Sequence, residues 1–342
     1  MVDKVTSEER LQAFCQRGCD FLGTRYSILG GAMSWVSERH LVSAISNAGG
    51  FGVLACGAME PERLDEEIKA TRALTKFPFG VNLITMHPKL EALIDVCLEN
   101  NVSHIVLAGG LPREKVIKRI RDANVKVMVF APTLALAKRL VRSGAQAIVI
   151  EGSEAGGHVG PVSLNVLAQE ILPHLEDVPV FVAGGIGRGE AMLAYLEQGA
   201  AGVQLGTLFA ASKESIAHEN FKQSFLRANA RDAVVTSQLD ERFPVIPVRA
   251  IENDASKKFM KHQAQVIESY QDGKTSLKEA QLEIEHFWAG SLRKAVIEGD
   301  IENGSLMAGQ SVGLVKELLS VEEIIGTLRD QALKAIEKKK HS

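Results

Sequence analysis

A (β/α)₈ barrel is the fold this sequence predicts, and three observations predict it. Short apolar runs recur at Tyr26–Leu29, Gly52–Ala55, Phe79–Leu83, His104–Leu107, Val127–Phe130, Ala147–Ile150, Val180–Ala183 and Gly202–Leu205. Most are continuous rather than alternating, as parallel strands buried on both faces require. Segments of helical periodicity lie between them, such as Arg39–Ser46 and Leu134–Val141. Eight strand–helix units over roughly 200 residues match a barrel in size and rhythm. A doubly wound open sheet also alternates strand and helix, but the count of eight favours closure.

The ends of these runs carry the chemistry. The first opens into Gly30-Gly-Ala-Met-Ser-Trp35, small residues that leave space for a flat ligand, with Met33 as a soft apolar contact. The third delivers Gly80-Val-Asn82, an amide able both to donate and to accept, although a cap or turn explains such a residue equally well. The fifth ends in Ala131-Pro-Thr133, with no lysine to neutralise a bound anion. The sixth runs into Glu151-Gly-Ser-Glu-Ala-Gly-Gly-His-Val-Gly160, a glycine-dense loop with one histidine, His158, that can exchange a proton near neutral pH. Glu151 and Glu154 are the only acids in these key loops, and Glu154 reads as a loop-stabilising acceptor.

Strand seven ends in Ala183-Gly-Gly-Ile-Gly187 and strand eight in Gln204-Leu-Gly-Thr207. In a barrel these two loops are neighbours at the C-terminal face. Backbone N–H groups and a helix start there can hold a phosphate without a charged side chain. Gly184, Gly185, Gly206 and the Thr207 hydroxyl are the predicted contacts, against the plainer reading that the glycines only make tight turns. No GxGxxG follows the first strand and no Walker A sequence occurs, which disfavours Rossmann and P-loop sites.

Composition bounds the rest. The chain has 342 residues, 46% hydrophobic, with 30 glycines and a net charge of −3, so it can bury a large core and has no electrostatic footprint for nucleic acid. No apolar run approaches the roughly 20 residues that span a bilayer. The start, from Met1 to Arg10, is polar and acidic and does not read as a signal peptide, so a cytoplasmic location is expected. Of the four cysteines, Cys15 and Cys19 share a helix face and Cys56 and Cys97 sit in apolar surroundings. None has zinc-site or CxxC spacing, so no metal is expected.

These loops suit a planar aromatic group with a phosphate tail. The segments Gly30–Met33, Phe79–Asn82, Glu151–His158, Gly184–Ile186, Gly199–Thr207 and Gly304–Gln310 resemble the flavin-dependent family of nitronate monooxygenases (formerly 2-nitropropane dioxygenases) and FabK-type enoyl-acyl-carrier-protein reductases. The resemblance runs from about residue 20 to residue 330, and the EAGGH motif is its specific part. It implies a TIM barrel that binds FMN non-covalently, with a small lid domain inserted after strand eight. Barrel residues would be 1–217 and 288–342. The lid would be 218–287, mostly helical, where the strand–helix rhythm is lost and Glu252–Gln281 is rich in lysine and glutamine. The flavin phosphate would rest on Gly184, Gly185, Gly206 and Thr207, and the ring near Gly31, Ala32, Met33, Asn82, Glu151, Gly156 and Gly157, with His158 over the reactive side.

The resemblance implies an oxidoreductase and leaves its reaction among three. A nitronate monooxygenase would turn an alkyl nitronate and O2 into a carbonyl compound and nitrite, His158 stabilising the nitronate or removing the α-proton of a nitroalkane. A FabK-type reductase would use NAD(P)H to reduce an enoyl thioester, and a quinone reductase would use it on a quinone. Gly206-Thr-Leu-Phe209 has Leu208 where an arginine is expected in FabK-like proteins, which leans toward the monooxygenase. The expected partners are a small-molecule substrate and O2, with NAD(P)H as a second candidate co-substrate and a homodimer left open. A barrel without flavin, binding a phosphorylated metabolite as a lyase or isomerase, stays as the reading from another class, and yellow colour separates the two.

Overall fold

The computed structural model describes residues 5–57, 59–240, 242–243, 247–288 and 290–340, with main chain only at 282 and 285–288. The first four residues of the polar start and positions 241 and 244–246 of the expected lid lie outside the described residues.

Strands β1 (Ile28–Gly30), β2 (Gly52–Ala55), β3 (Phe79–Ile84), β4 (His104–Ala108), β5 (Lys126–Phe130) and β6 (Ala147–Glu151) come first in the chain. A two-residue strand β7 (Gly157–His158) follows, then β8 (Val180–Ala183) and β9 (Gly202–Leu205). All but β7 form one parallel sheet in the order β1-β9-β8-β6-β5-β4-β3-β2. A parallel bridge between Leu29 and Phe51 joins the two outermost strands. The Gly30 N–H donates to the Phe51 carbonyl at 2.9 Å and the Phe51 N–H to the Ile28 carbonyl at 2.8 Å. The sheet therefore closes on itself, and the expected (β/α)₈ barrel is what the chain forms.

The continuous apolar runs are explained by where alternate residues go. Leu29, Phe51, Val53, Val106, Met128, Val149 and Phe181 meet inside the barrel. Their strand neighbours Ile105, Leu107, Val127, Val129, Ile148, Ile150, Val180 and Val182 pack outward against the helices. Both faces are dry along most of each strand, so most strand positions are apolar, and the polar exceptions such as Asn82, His104 and Glu151 each have a place of their own. Helices at 39–47, 61–74, 90–99, 114–122, 134–142, 164–171 and 189–197 make the outer ring, and the helix Val321–Lys340 completes it against 189–197 and 7–22. One buried carboxylate strengthens that ring. Glu67, 3% exposed, accepts from Arg39 Nε at 3.0 Å and Nη2 at 2.6 Å, and from Arg63 at 2.6 Å, which ties helix 39–47 to helix 61–74.

Helix Ser7–Leu22 is set by a capping box, in which the Thr6 side chain accepts the Glu9 N–H while the Glu9 carboxylate accepts the Thr6 N–H at 2.7 Å. It ends at Gly23, whose φ of 72° takes the left-handed cap. The Phe21 carbonyl then turns toward the N-terminal end of the barrel, where it accepts from His104 Nε2 at 2.9 Å and from the Lys126 ammonium. His104 stands edge-on to the rings of Phe21 and Phe51.

Beyond β9 the repeat stops. A helix at Glu219–Arg227 leads to β10 (Ala233–Val235) and β11 (Val248–Ile251), which pair antiparallel, and β11 pairs on its other side with β7. The lysine- and glutamine-rich stretch is helical and forms two helices, Asp254–Gln271 and Leu277–Trp288. Gly273, with φ +72°, makes the break. Phe243, Phe259, Val266, Ile267, Ala280 and Ile284 form a small core of their own there. Among the described residues no helix is long and apolar enough to cross a membrane, no His, Cys, Asp and Glu group could hold a metal, and all four cysteines are free and buried.

His104 supplies a pH test of the barrel. Burial, with a smaller push from Lys126, lowers its pKa from 6.5 to about 4. The unfolded chain therefore binds the proton first as pH falls, and stability is lost from about pH 6.5 down to about 4. Chemical denaturation at pH 7 and pH 5 is expected to show about 2 kcal/mol more loss in the wild type than in His104→Gln. Equal pH dependence in the two proteins would remove His104 from the account.

Candidate active site

The loop after β6 is built from contacts made by other segments. The Ser153 carbonyl accepts from Arg249 Nε at 3.0 Å, and the Glu154 carbonyl from the Gln310 N–H at 2.9 Å. Glu154 turns its carboxylate to the Leu164 N–H at 2.9 Å, capping the following helix as the sequence suggests. A Cβ at Gly156 would come within 2.5 Å of the main chain at Ala308 and Gly309, so only glycine lets the 304–310 segment lie this close. Gly157 has φ +77° and pairs with Arg249, and His158 pairs with Val248. The histidine read from sequence as part of a free loop is thus on β7, fixed to β11.

Burial moves Glu151 and His158, the two groups here that titrate near neutral pH, toward their uncharged forms. The His158 ring reaches solvent, yet the protein around it removes enough water to lower its pKa from the ordinary 6.5. Glu151 closes β6 in register with Ala183 of β8, and burial pushes its carboxyl up to about 7. No hydrogen bond or ion pair to the Glu151 carboxyl occurs among the described residues. Arg249, 8% exposed, spends its guanidinium on the Ser153 and Ala233 carbonyls.

Next to this loop lie the two glycine turns. Gly184 has φ +104° and Gly185 φ +71°, conformations that L side chains rarely adopt. A Cβ at Gly184 would sit 3.0 Å from the Gly152 carbonyl oxygen, and one at Gly185 3.0 Å from Glu154 Cβ. A Cβ at Gly206 would meet only Met33 Sδ, at 3.7 Å, so that side of the turn is open. Thr207 Oγ1 accepts the Gly309 N–H at 2.9 Å, which leaves its hydroxyl hydrogen free to donate.

The loop after β1 completes this side of the mouth. The Gly31 N–H donates to the Leu205 carbonyl at 2.8 Å, tying the loop to β9. Ser37 locks the turn by accepting the Met33 N–H at 3.0 Å and donating to the Gly31 carbonyl at 2.7 Å. Ala32 and Met33 are half-buried between them. Trp35 has φ +67° and its ring is 52% exposed, with the Arg293 guanidinium 5.8 Å from its centre. Asn82 stands apart on β3, where Nδ2 donates to the Val106 carbonyl at 3.0 Å and Oδ1 remains an acceptor.

Every sequence-predicted residue is thus at the C-terminal mouth. Direct contacts join Met33 to Gly206, Gly184 and Gly185 to residues 152–154, and Gly156 to the segment that reaches Thr207. Ser37 and Arg249 were not expected. A serine four residues after Met33 is a turn signal visible in sequence. Arg249 has no such signal, because only tertiary pairing brings β11 to β7.

A family model described as nitronate monooxygenase matches residues 16–93 and 89–331. The (3aS,4S,5R,7aS)-5-hydroxy-7a-methyl-1-oxo-octahydro-1H-indene-4-carboxyl-CoA dehydrogenase of Rhodococcus jostii (strain RHA1) is 28% identical, over 93% of this chain and 96% of that protein. A probable nitronate monooxygenase of Staphylococcus aureus (strain MRSA252) is 29% identical, over 85% and 90%. Among solved structures, FabK from Thermotoga maritima superposes with a TM-score of 0.85 at 35% identity, covering 95% of this chain and 98% of that one. A nitroalkane oxidase from Streptomyces ansochromogenes gives 0.77 at 26% identity, covering 93% and 98%.

Arg249→Met keeps the aliphatic stem and leaves the Ser153 and Ala233 carbonyls without this donor. A loss of about 2 kcal/mol in chemical denaturation is expected, the scale of charged hydrogen bonds to buried acceptors. Amide exchange should accelerate at Gly157 and His158 but not in the barrel strands, and unchanged exchange there would refute the anchoring role.

Proposed function

The chain belongs to the nitronate monooxygenase family, and from that premise we propose an FMN-dependent oxidoreductase that converts alkyl nitronates and O2 to carbonyl compounds and nitrite. The observation that carries this reading is one mouth combining a cradle free of side chains with a single neutral imidazole. The residues fit the cofactor. Backbone at Gly184, Gly185 and Gly206 can approach a phosphate closely, and the Thr207 hydroxyl has a hydrogen to donate to it. Gly31, Ala32, Met33, Asn82, Glu151, Gly156 and Gly157 would line the ring, with Asn82 Oδ1 as an acceptor for a ring N–H. Bound FMN would supply the two-electron redox chemistry and the reaction with O2.

His158 is the proton-handling group of the reading. As a neutral imidazole it accepts the α-proton of a nitroalkane, or positions the oxygens of a nitronate by a hydrogen bond. The pairing of β7 with β11 fixes its backbone, so the ring is aimed before substrate arrives. Residues 218–287 act in this account as the lid over that ring, and the protein works in the cytoplasm, where its free cysteines stay reduced.

A second reading has its own support. The 35% identity to FabK over nearly the whole chain, and a relative whose name specifies a CoA-linked substrate, favour NAD(P)H-dependent reduction of an enoyl thioester. His158 would then hand a proton to the developing enolate. Quinone reduction remains a variant of that second reading. Anaerobic stopped-flow absorbance separates the readings. Bleaching of the yellow protein by propyl nitronate, and not by NAD(P)H, is the expected result. Bleaching by NAD(P)H alone transfers the conclusion to the thioester or quinone.

Two variants probe the roles. His158→Ala is expected to keep FMN affinity and lower nitronate turnover by about 100-fold or more, the range of a lost general acid–base. Gly185→Val, which needs a backbone conformation valine avoids, should weaken FMN binding by at least about tenfold. A His158→Ala enzyme of unchanged turnover, or a Gly185→Val protein as yellow as wild type, overturns the corresponding assignment.

A further inference from the structure

Glu151 is a half-buried carboxyl at the C-terminal mouth with no hydrogen-bond or ion-pair partner among the described residues. It ends β6 in register with Ala183, the buried, apolar last residue of β8. The ionisable groups on the segments packed around it are otherwise engaged or neutral. Glu154 caps the Leu164 N–H, Arg249 is spent on the Ser153 and Ala233 carbonyls, Arg188 is paired with Glu190 at 2.7 Å, and His158 is neutral. Residues 131–133, 305–310 and 30–37 contain no ionisable side chain. A carboxylate left there is poorly solvated, and burial is the single cause that pushes its pKa up to about 7.

We propose that FMN binds this chain with the Glu151 carboxyl protonated, the neutral acid donating a hydrogen bond to a carbonyl or ring nitrogen of the isoalloxazine, so that binding takes up one proton from solvent. The inference rests on the FMN reading above and deepens it. The flavin ring offers several acceptors against one N–H donor, and Asn82 Oδ1 already presents an acceptor to that donor. A bound ring also covers the carboxyl and removes its remaining water, and the cofactor brings a phosphate dianion. Each effect favours the uncharged acid. An ionised Glu151 would instead compete with Asn82 for one N–H and leave its second oxygen bare.

The test is the pH dependence of FMN affinity, read by quenching of flavin fluorescence on FMN-stripped protein. Between pH 7 and 9 the phosphate stays a dianion, its second pKa being about 6. With the free carboxyl near 7, the wild-type Kd should rise about 50-fold across this range, approaching tenfold per pH unit. Glu151→Gln, whose amide donates the same bond at every pH, should bind with a flat Kd. Calorimetry of the wild type in buffers of different ionisation enthalpy should give uptake of about 0.9 proton at pH 8, and this measurement needs no variant. A flat wild-type Kd with no proton uptake means the carboxylate accepts from the ring and overturns the proposal. A Glu151→Gln protein that keeps the slope assigns the proton elsewhere and also overturns it. Failure of the wild type to bind FMN at any pH, including pH 6, instead overturns the cofactor reading on which the proposal stands.

Discussion

The carbonyls of Ser153 and Glu154 cannot be satisfied within their own loop, and the rest of the mouth is arranged around that fact. A buried carbonyl without a donor costs about 1–3 kcal/mol, so the loop holds its shape only where outside donors come to it. Arg249 comes from β11 and Gln310 from the segment that follows the inserted region. Those same arrivals pair β11 with β7 and bring Gly309 to Thr207. His158, the Thr207 hydroxyl and β11 are therefore parts of one hydrogen-bonded assembly. Three distant stretches of chain must all be placed before any of them is.

That assembly explains why glycine dominates the mouth. At Gly156 the incoming 304–310 main chain occupies the space a side chain would need, and at Gly184 the Gly152 carbonyl does. Gly185 and Gly157 are glycines for a different reason, their positive φ. Crowding by main chain also strips water from the side chains that remain. Glu151 and His158 are both driven toward their uncharged forms, one upward and one downward, by the same loss of solvent. The mouth is thus short of fixed charge, and polar recognition within it falls to amides, a hydroxyl and two titratable groups near neutrality.

The barrel was legible in the sequence because buried parallel strands write themselves as continuous apolar runs, and each of the eight sits within two residues of its expected bounds. Strand ends were legible too, since Gly184-Gly185 and Gly206-Thr207 follow consecutive strands, β8 and β9, that pair directly. What the sequence did not carry was pairing between segments far apart. His158 read as loop because two residues have no strand periodicity, and β7 exists only through β11. The lysine- and glutamine-rich stretch read as helical without a boundary, because polar helix faces give no periodic signal at a break and Gly273 alone marks it. Arg249 was invisible for the same reason as β7.

Relatives with different printed activities share this chain's length and fold at 26–35% identity. Positions made of backbone, as at Gly184, Gly185 and Gly206, impose little on what approaches from the open side. Differences in substrate must then be written in side chains around the rim. Trp35 is such a side chain. Its backbone is held at φ +67° by a turn that Ser37 ties on both sides, a conformation that costs a bulky residue about 1–3 kcal/mol. Its indole is half exposed under the Arg293 guanidinium rather than packed into the core. The same turn therefore sets a large, half-exposed ring at the end of β1, on the rim rather than in the core.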